Sequence, residues 1–214
     1  ASYLARATVG SRNRSYRAVL DHAPGVVGSS NPRVFGSTVS ENAFFIDGQD
    51  TTDPVTSTWG SEFNFDSVAE VELQTSGFEA EYGRATGGLV SVVTRSGGNQ
   101  FSGSLDLRFS DDSFQESGAN FDADDLETSL VDASATLGGP LLRDRLWFFA
   151  AYEKSRTRTT PDGSPTTRTR EGANFNGKLS WQPSERWRLV ARAAGSPVDI
   201  ANANASRFVA PEAA

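Results

Sequence analysis

The chain has 214 residues, a formal charge of −7, one histidine and no cysteine; it is long enough to bury a core, and it lacks the residues for disulfide frameworks, thiolate metal sites or thiol nucleophiles. Apolar residues make up 37% with a mean hydropathy of −0.42, and the longest apolar run, Leu146 to Tyr152, is far below the roughly 18 residues that a spanning helix needs, which excludes a transmembrane helix but not a membrane β-barrel. The acidic balance argues against a nucleic-acid partner, because phosphate binding needs clustered Lys and Arg.

The first half reads as mixed α and β. "NRSYRAVLDHAPG" puts Tyr16, Val19 and Leu20 on one helical face and ends at Pro24-Gly25, a helix-terminating pair. "AFFIDGQD" reads as a short strand leaving into a turn at Asp47-Gly48, and "VAEVELQTS" alternates Val71, Leu73 and Thr75 against Glu70, Glu72 and Gln74. "GLVSVVT" is denser in β-branched residues, as expected of a central strand covered on both faces.

After Asn99 the pattern changes to strict period two. "FSGSLDLRF" carries Phe101, Gly103, Leu105, Leu107 and Phe109 on one face and Ser102, Ser104, Asp106 and Arg108 on the other. "VDASATL", "FNGKLSW" and "WRLVARA" repeat the alternation, and in "RLWFFAAYEK" the flanking Arg145 and Glu153 favour Leu146, Phe148, Ala150 and Tyr152 as the apolar face. About five strands of membrane-crossing length thus follow one another. Their connections alternate: a long polar stretch from Asp111 to Ser129, the tight "GGPLLRD", the long "SRTRTTPDGSPTTRTREGA", then "QPSER". That is the rhythm of outer-membrane barrels, although a soluble sandwich is compatible with the strand pattern alone. Trp181 and Trp187 flank one short turn, with Phe101 and Trp147 at strand ends on the same side, where a barrel places an aromatic girdle. The opposite faces hold Asp106, Arg108, Asp132, Lys178, Arg188 and Arg192, which suit a wet lumen; in a sandwich they would be the outside.

Candidate sites are few. Asp47, Asp50 and Asp53 recur at three-residue spacing but lack the alternate ligands, central glycine and terminal Glu of an EF-hand, so turn chemistry at Asp47-Gly48 and Asp53-Pro54 explains them better than a metal. Their segment, Gln49, Asp50 and Asp53 in particular, is expected to face a ligand. His22 has no second imidazole beside it, and a helix end accounts for it. The loop from Asp111 to Glu127 carries only acidic charges, and the next carries Lys154, Arg156, Arg158, Arg168 and Arg170 against Asp162; both read as solvated loops, with mutual attraction across a barrel mouth as the sharper alternative. There is no G-x-S-x-G elbow, and "GRATGG" lacks the Lys-Ser/Thr of a phosphate loop, so neither an enzyme nor a bound cofactor is expected.

The segments "NRSYRAVLDHAPGV", "ENAFFIDGQDTTDP", "VAEVELQTSGFEAEYGRATGGLVSVVTRSGGNQFSGSL" and "LGGPLLRDRLWFFAAYEKSRTR" resemble, in this order, the plug domain and first barrel strands of TonB-dependent outer-membrane receptors, in particular the Oar-like branch. The resemblance implies an α+β plug over residues 1–99, followed by antiparallel transmembrane β-barrel strands over residues 100–214, an incomplete barrel. It assigns structural roles in the plug motif to Asp47, Gly48, Tyr82, Gly83, Arg84, Gly87 and Gly88. The glycines would make the tight turn into the central plug strand, "RSGGN" the hinge out of it, and Gln100 the start of the wall. In that family the plug fills a barrel of about 22 strands and gates a ligand whose passage is energised by the TonB complex, within outer-membrane lipid. Three features depart from the full pattern: no TonB-contacting box precedes the helix, five strands cannot close a barrel, and "RFVAPEAA" lacks a terminal aromatic. An interior piece of a larger receptor is therefore expected, with an unknown ligand. A non-transporting adhesin or a soluble β-rich binding protein is the alternative.

Overall fold

The computed structural model describes residues 19–20, 22–28, 31–60, 63–79, 82, 85–111, 127–160, 164 and 166–204. The first strands, β1 (Val26–Val27) and β2 (Arg33–Val34), form a small antiparallel pair. Four more build a compact sheet: β3 (Ala43–Ile46), β4 (Gln49–Asp50), β5 (Val68–Gln74) and β6 (Leu89–Thr94), in the order β4-β3-β6-β5. Of its pairings only β3 with β6 is parallel.

The β-branched run in "GLVSVVT" takes the central position predicted for it, but its two faces are covered unequally. Val90 and Val92 lie in the main core with Phe44, Ile46, Phe63, Phe65 and Val68, all buried, and Val71 and Leu73 pack against it. The other face is closed at one end by Ala43, Ala85 and Leu89 and open at the other, where Val93 is 43% exposed. The turn between β3 and β4 has φ of 50° at Asp47 and 80° at Gly48, the left-handed pair that a two-residue hairpin needs, and Asp-Gly supplies it at low strain.

The predicted N-terminal helix falls largely outside the described residues; Val19, Leu20 and His22 lie in a 3-10 turn, and no α-helix occurs among the described residues.

The second half forms a wall of long antiparallel strands: β7 (Ser102–Asp111), β8 (Glu127–Leu142), β9 (Leu146–Thr160), β10 (Arg168–Ser184), β11 (Trp187–Gly195) and β12 (Val198–Ala201). The order is β11-β10-β9-β8-β7, with β12 also on β10. Strands β11 and β12 are one strand in register: Phe175 faces Gly195 and Gly172 faces Val198 with no slip. Pro197 interrupts the ladder because it has no N–H, yet its carbonyl still accepts from the Ala173 amide at 3.0 Å.

Period two sorts the wall as predicted. Leu105, Leu107, Phe109, Val131, Leu137, Tyr152, Phe175, Leu179, Trp181, Trp187 and Leu189 are exposed on one face, while Asp132, Ser134, Thr136, Glu153, Asn176 and Ser180 are buried on the other. Two expectations change. Trp147 has the parity of the polar face and joins no outer girdle, because residues of β9 alternate and Leu146 and Phe148 hold the outer positions. The strands also run much further than predicted. Lys154, Arg156 and Arg158 lie in β9, and Arg168 and Arg170 in β10, because alternating Thr and Arg continue the ladder, with Thr157 opposite Arg170 and Thr159 opposite Arg168. Of the acidic loop, Asp112, Glu116, Asp122, Asp124 and Asp125 lie outside the described residues, as does Asp162. The short turns, Arg143–Arg145 and Glu185–Arg186, share one end of the wall.

Candidate functional site

The compact sheet lies against the polar face of the wall, and the contacts between them are polar. At the end of β3 the Asp47 carboxylate accepts the Thr94 amide at 2.9 Å and the Thr94 hydroxyl at 2.5 Å. Two cations from the wall then reach it: Lys178 Nζ at 3.3 Å and Arg192 Nη1 at 3.4 Å. Lys178 also donates to the Thr94 hydroxyl at 3.1 Å and carbonyl at 3.3 Å. The Arg192 guanidinium lies 4.5 Å above the Phe63 ring, a cation–π contact. Burial alone would raise the Asp47 pKa; the Thr94 hydrogen bonds and the Lys178 charge outweigh it and hold the carboxyl below its ordinary value.

The local sequence explains this placement. Lys178 and Arg192 are cross-strand partners on β10 and β11, so their like charges repel unless an anion sits between them. Asp47 is carried there by the hairpin turn that its own left-handed backbone makes.

A second contact forms on the 3-10 turn Phe65–Ser67. Asn64 Oδ1 accepts the Asp66 amide at 2.7 Å, buried Phe65 pins the turn to the core, and Asp66 accepts a short hydrogen bond from the Ser134 hydroxyl of β8. A shallow recess beside it is lined by Phe65, Asp66, Asp106, Asp132, Ser134 and Glu153.

The crossover from β6 to β7 makes the third contact. The Asn99 carbonyl oxygen accepts from Trp147 Nε1 at 2.6 Å and from the Asp144 amide at 2.9 Å, and its amide nitrogen donates to the Asp144 carboxylate at 2.5 Å. Gly97 passes so near β9 that a Cβ there would lie 2.1 Å from the Phe148 carbonyl oxygen, which only glycine permits.

The residues singled out in the sequence divide into groups. Gly48 completes the hairpin. Gln49 and Asp50 are exposed and Asp53 is half-buried; Asp50 accepts the Thr52 amide at 2.9 Å, and Asp53 those of Val55 and Thr56 at 2.8 and 2.7 Å. These are turn contacts, and they hold the Asp53 carboxyl below its ordinary pKa. Tyr82 packs edge-on against Phe45 at 5.0 Å. A Cβ on Gly87 would meet Ser37 Oγ at 2.5 Å, and one on Gly88 would meet Val34 Cγ2 at 2.7 Å, so both serve close packing. Gly83 and Arg84 lie outside the described residues. Sequence reading missed Thr94, Lys178, Arg192, Asp66 and Asn99 as contacts; the one available signal was the pair of wet-face cations at matching strand positions.

A profile of the outer membrane β-barrel domain matches residues 93–210. The chain belongs to that family. The TonB-dependent transporter Oar of Myxococcus xanthus is 36% identical to the chain over 157 residues, 70% of this chain and 15% of that protein. The siderophore receptor PirA from Pseudomonas aeruginosa superposes with a TM-score of 0.62 at 22% identity, covering 89% of this chain and 34% of its own. The outer membrane transporter YddB from Escherichia coli gives a TM-score of 0.72 at 16% identity, covering 92% and 32%; at such identities the likeness is one of fold. The β-barrel chain therefore spans about a third of these solved chains and 15% of the curated relative. The resemblance to TonB-dependent receptors of the Oar-like branch holds, and it locates the chain in the Gram-negative outer membrane. These relatives are transporters and receptors, not enzymes.

Proposed function

We propose that the chain is the plug and the first barrel strands of a TonB-dependent transporter, residues 1–99 forming the plug and residues 100–214 the start of the wall. In this reading the plug gates the lumen and is displaced when the TonB complex, engaged on the N-terminal side of the plug, draws on it. The observation that carries the proposal is the nature of the contact. Asp47 meets Lys178 and Arg192 at 3.3 and 3.4 Å across a hydrogen-bonding face, and Asp66 meets Ser134. Such a boundary can exchange its bonds with water and reseal, which an apolar core cannot do without a large hydrophobic cost. Gln49, Asp50 and Asp53 remain candidates for ligand contact, Gln49 through its side-chain amide and the two aspartates through the carboxylate oxygens that their turns leave over.

The test uses the full-length receptor in planar bilayers with KCl as the probe. Wild type is expected to be closed. Asp47→Lys, which would set three cations together, is expected to open current steps, and adding Lys178→Asp to restore a charge pair should reduce them. An open wild type, or a mutant as closed as wild type, would refute gating. Binding of the purified periplasmic domain of TonB to the full-length receptor tests the energy coupling; absence of a complex would leave the non-transporting adhesin as the better reading.

A further inference from the structure

The polar face of the wall continues past its contacts with the compact sheet. On β10, Lys178 and Asn176 are followed at the same parity by Asn174, Gly172, Arg170 and Arg168. Asn174 fixes the facing, because its amide donates to the inward Glu153 at 3.3 Å. The hydrogen bonds and ion pairs to the compact sheet are made at Ser134 and at Lys178 and Arg192. Arg170 stands opposite Thr157 and Arg168 opposite Thr159, further along β9 than Glu153 by about 13 and 20 Å at the rise of a strand. Both arginines are exposed, so they project from the inner wall beyond those contacts, on the side away from the short turns.

Among the described residues neither guanidinium has an ion-pair partner. Their cross-strand neighbours are uncharged: Thr157 and Thr159 on β9, and Ile200 opposite Arg170 on β12. Leu130 and Thr128 follow on β8. The acids of this end of the wall are placed elsewhere. Asp111, Glu127, Glu171 and Asp199 all have the outward parity, and Glu171 pairs with Arg156 at 2.8 Å. Asp132 and Glu153 face inward but lie lower, with Arg108 and Asn174 across from them. The backbone beneath the two arginines is held by the β9 ladder and by Asn202, whose amide donates to the Thr167 carbonyl at 2.9 Å. Two like charges about 7 Å apart on one strand face repel each other, and an anion between them relieves that repulsion.

We propose that Arg168 and Arg170 form an oxyanion-binding strip on the lumen wall, and that the transported ligand docks there through carboxylate or phosphate groups. A guanidinium presents paired N–H donors that match either group in a bidentate manner. Thr157 and Thr159 set hydroxyls directly across from the two arginines, further donors for the same oxygens. In a chain of net charge −7, an inward cationic strip is also a local attractor that raises the anion concentration where it projects. The inference rests on the transporter reading for the passage of the ligand, but binding is measured at equilibrium and without current. Binding in a receptor that fails the gating test would leave an oxyanion receptor that does not transport, and gating without binding would strike this inference alone.

The experiment titrates the full-length receptor, in detergent at low ionic strength, with pyrophosphate and with citrate by isothermal calorimetry. Wild type is expected to bind at least one of them, and the tighter probe assigns the ligand's oxyanion class. Arg168→Gln/Arg170→Gln is expected to weaken that binding at least about tenfold, as loss of charge-assisted hydrogen bonds should. Lys154→Gln/Arg158→Gln removes the same charge from the outward parity of β9 and should stay within about twofold of wild type. Arg168→Lys/Arg170→Lys keeps the charge but loses the fork, so its affinity should fall between wild type and the neutral inner double; it carries the comparison if that double folds poorly. A wild type that binds neither probe, equal losses in the inner and outer neutral doubles, or an inner lysine double as tight as wild type would each overturn the proposal.

Discussion

Asp47 holds together two parts of the chain that are far apart in sequence. Its partners Lys178 and Arg192 have side chains only 9% and 20% exposed, so removing the carboxylate strands two poorly hydrated cations against each other. Deleting one partner of such a group costs more than the pair contributes, because the remaining charge stays desolvated. Asp47→Ala is therefore expected to reduce the free energy of local opening by on the order of 2–4 kcal/mol, read as faster hydrogen exchange of the Thr94 amide, which also loses its acceptor. Asp47→Asn should cost less, since it can still accept from Thr94. The pH dependence has a defined sign. The folded-state pKa of Asp47 lies below its ordinary carboxylate value, so the unfolded chain binds the proton first as pH falls. The contribution is fully present above about pH 4 and is lost as pH drops through the folded value. The urea midpoint of wild type should fall across that acid window, and the fall should be smaller in Asp47→Asn.

At the scale of elements, the crossover between the sheets depends on Asn99, whose one amide group satisfies the Asp144 amide, the Asp144 carboxylate and the Trp147 indole. Asn99→Ala removes all three bonds and is expected to cost roughly 1–3 kcal/mol of local stability. The readout is tryptic cleavage at Arg143 and Arg145 in the neighbouring turn, which should accelerate in the variant; unchanged cleavage would mean that the turn is held by its ladder alone. This tie also shows why the fold was more legible than the site. Alternation in "SLDLRF" dictates which face of β7 is apolar, because a strand has only two faces and one preference decides them all. Strand ends were less legible. "SRTRTT" contains no apolar residue to mark it, yet it pairs fully, since Thr suits a ladder and the partner strand fixes the register. Trp147 was misplaced because an aromatic near a strand end suggests a girdle, whereas parity places it inward. Contacts such as Asp47 with Lys178 join residues on different sheets, and no local pattern encodes how one sheet lies on another.

For the whole molecule, the exposed face of the wall is the feature that water cannot explain. Leu105 is 73% exposed, Leu107 72% and Phe109 65%, neighbours on one face that continue through Val131, Leu137, Tyr152 and Leu179. Monomeric soluble proteins rarely leave so continuous an apolar surface uncovered, and lipid supplies the missing cover. Leu105 stands in the middle of the outward row of β7, between Phe101 and Phe109, so its environment separates the two solvents. If this face meets the bilayer core, Leu105→Arg in the full-length receptor should reduce the free energy of folding into vesicles by about 2–4 kcal/mol, the cost of a guanidinium near the midplane of a barrel. If the face met water, the same change at an exposed position would stay within about 0.5 kcal/mol. Leu105→Phe should be close to neutral in lipid, which distinguishes the loss of apolar character from the loss of leucine itself. A denaturant titration in phosphatidylcholine vesicles reads both variants, and a near-neutral Leu105→Arg would require another protein surface, not lipid, to cover the wall.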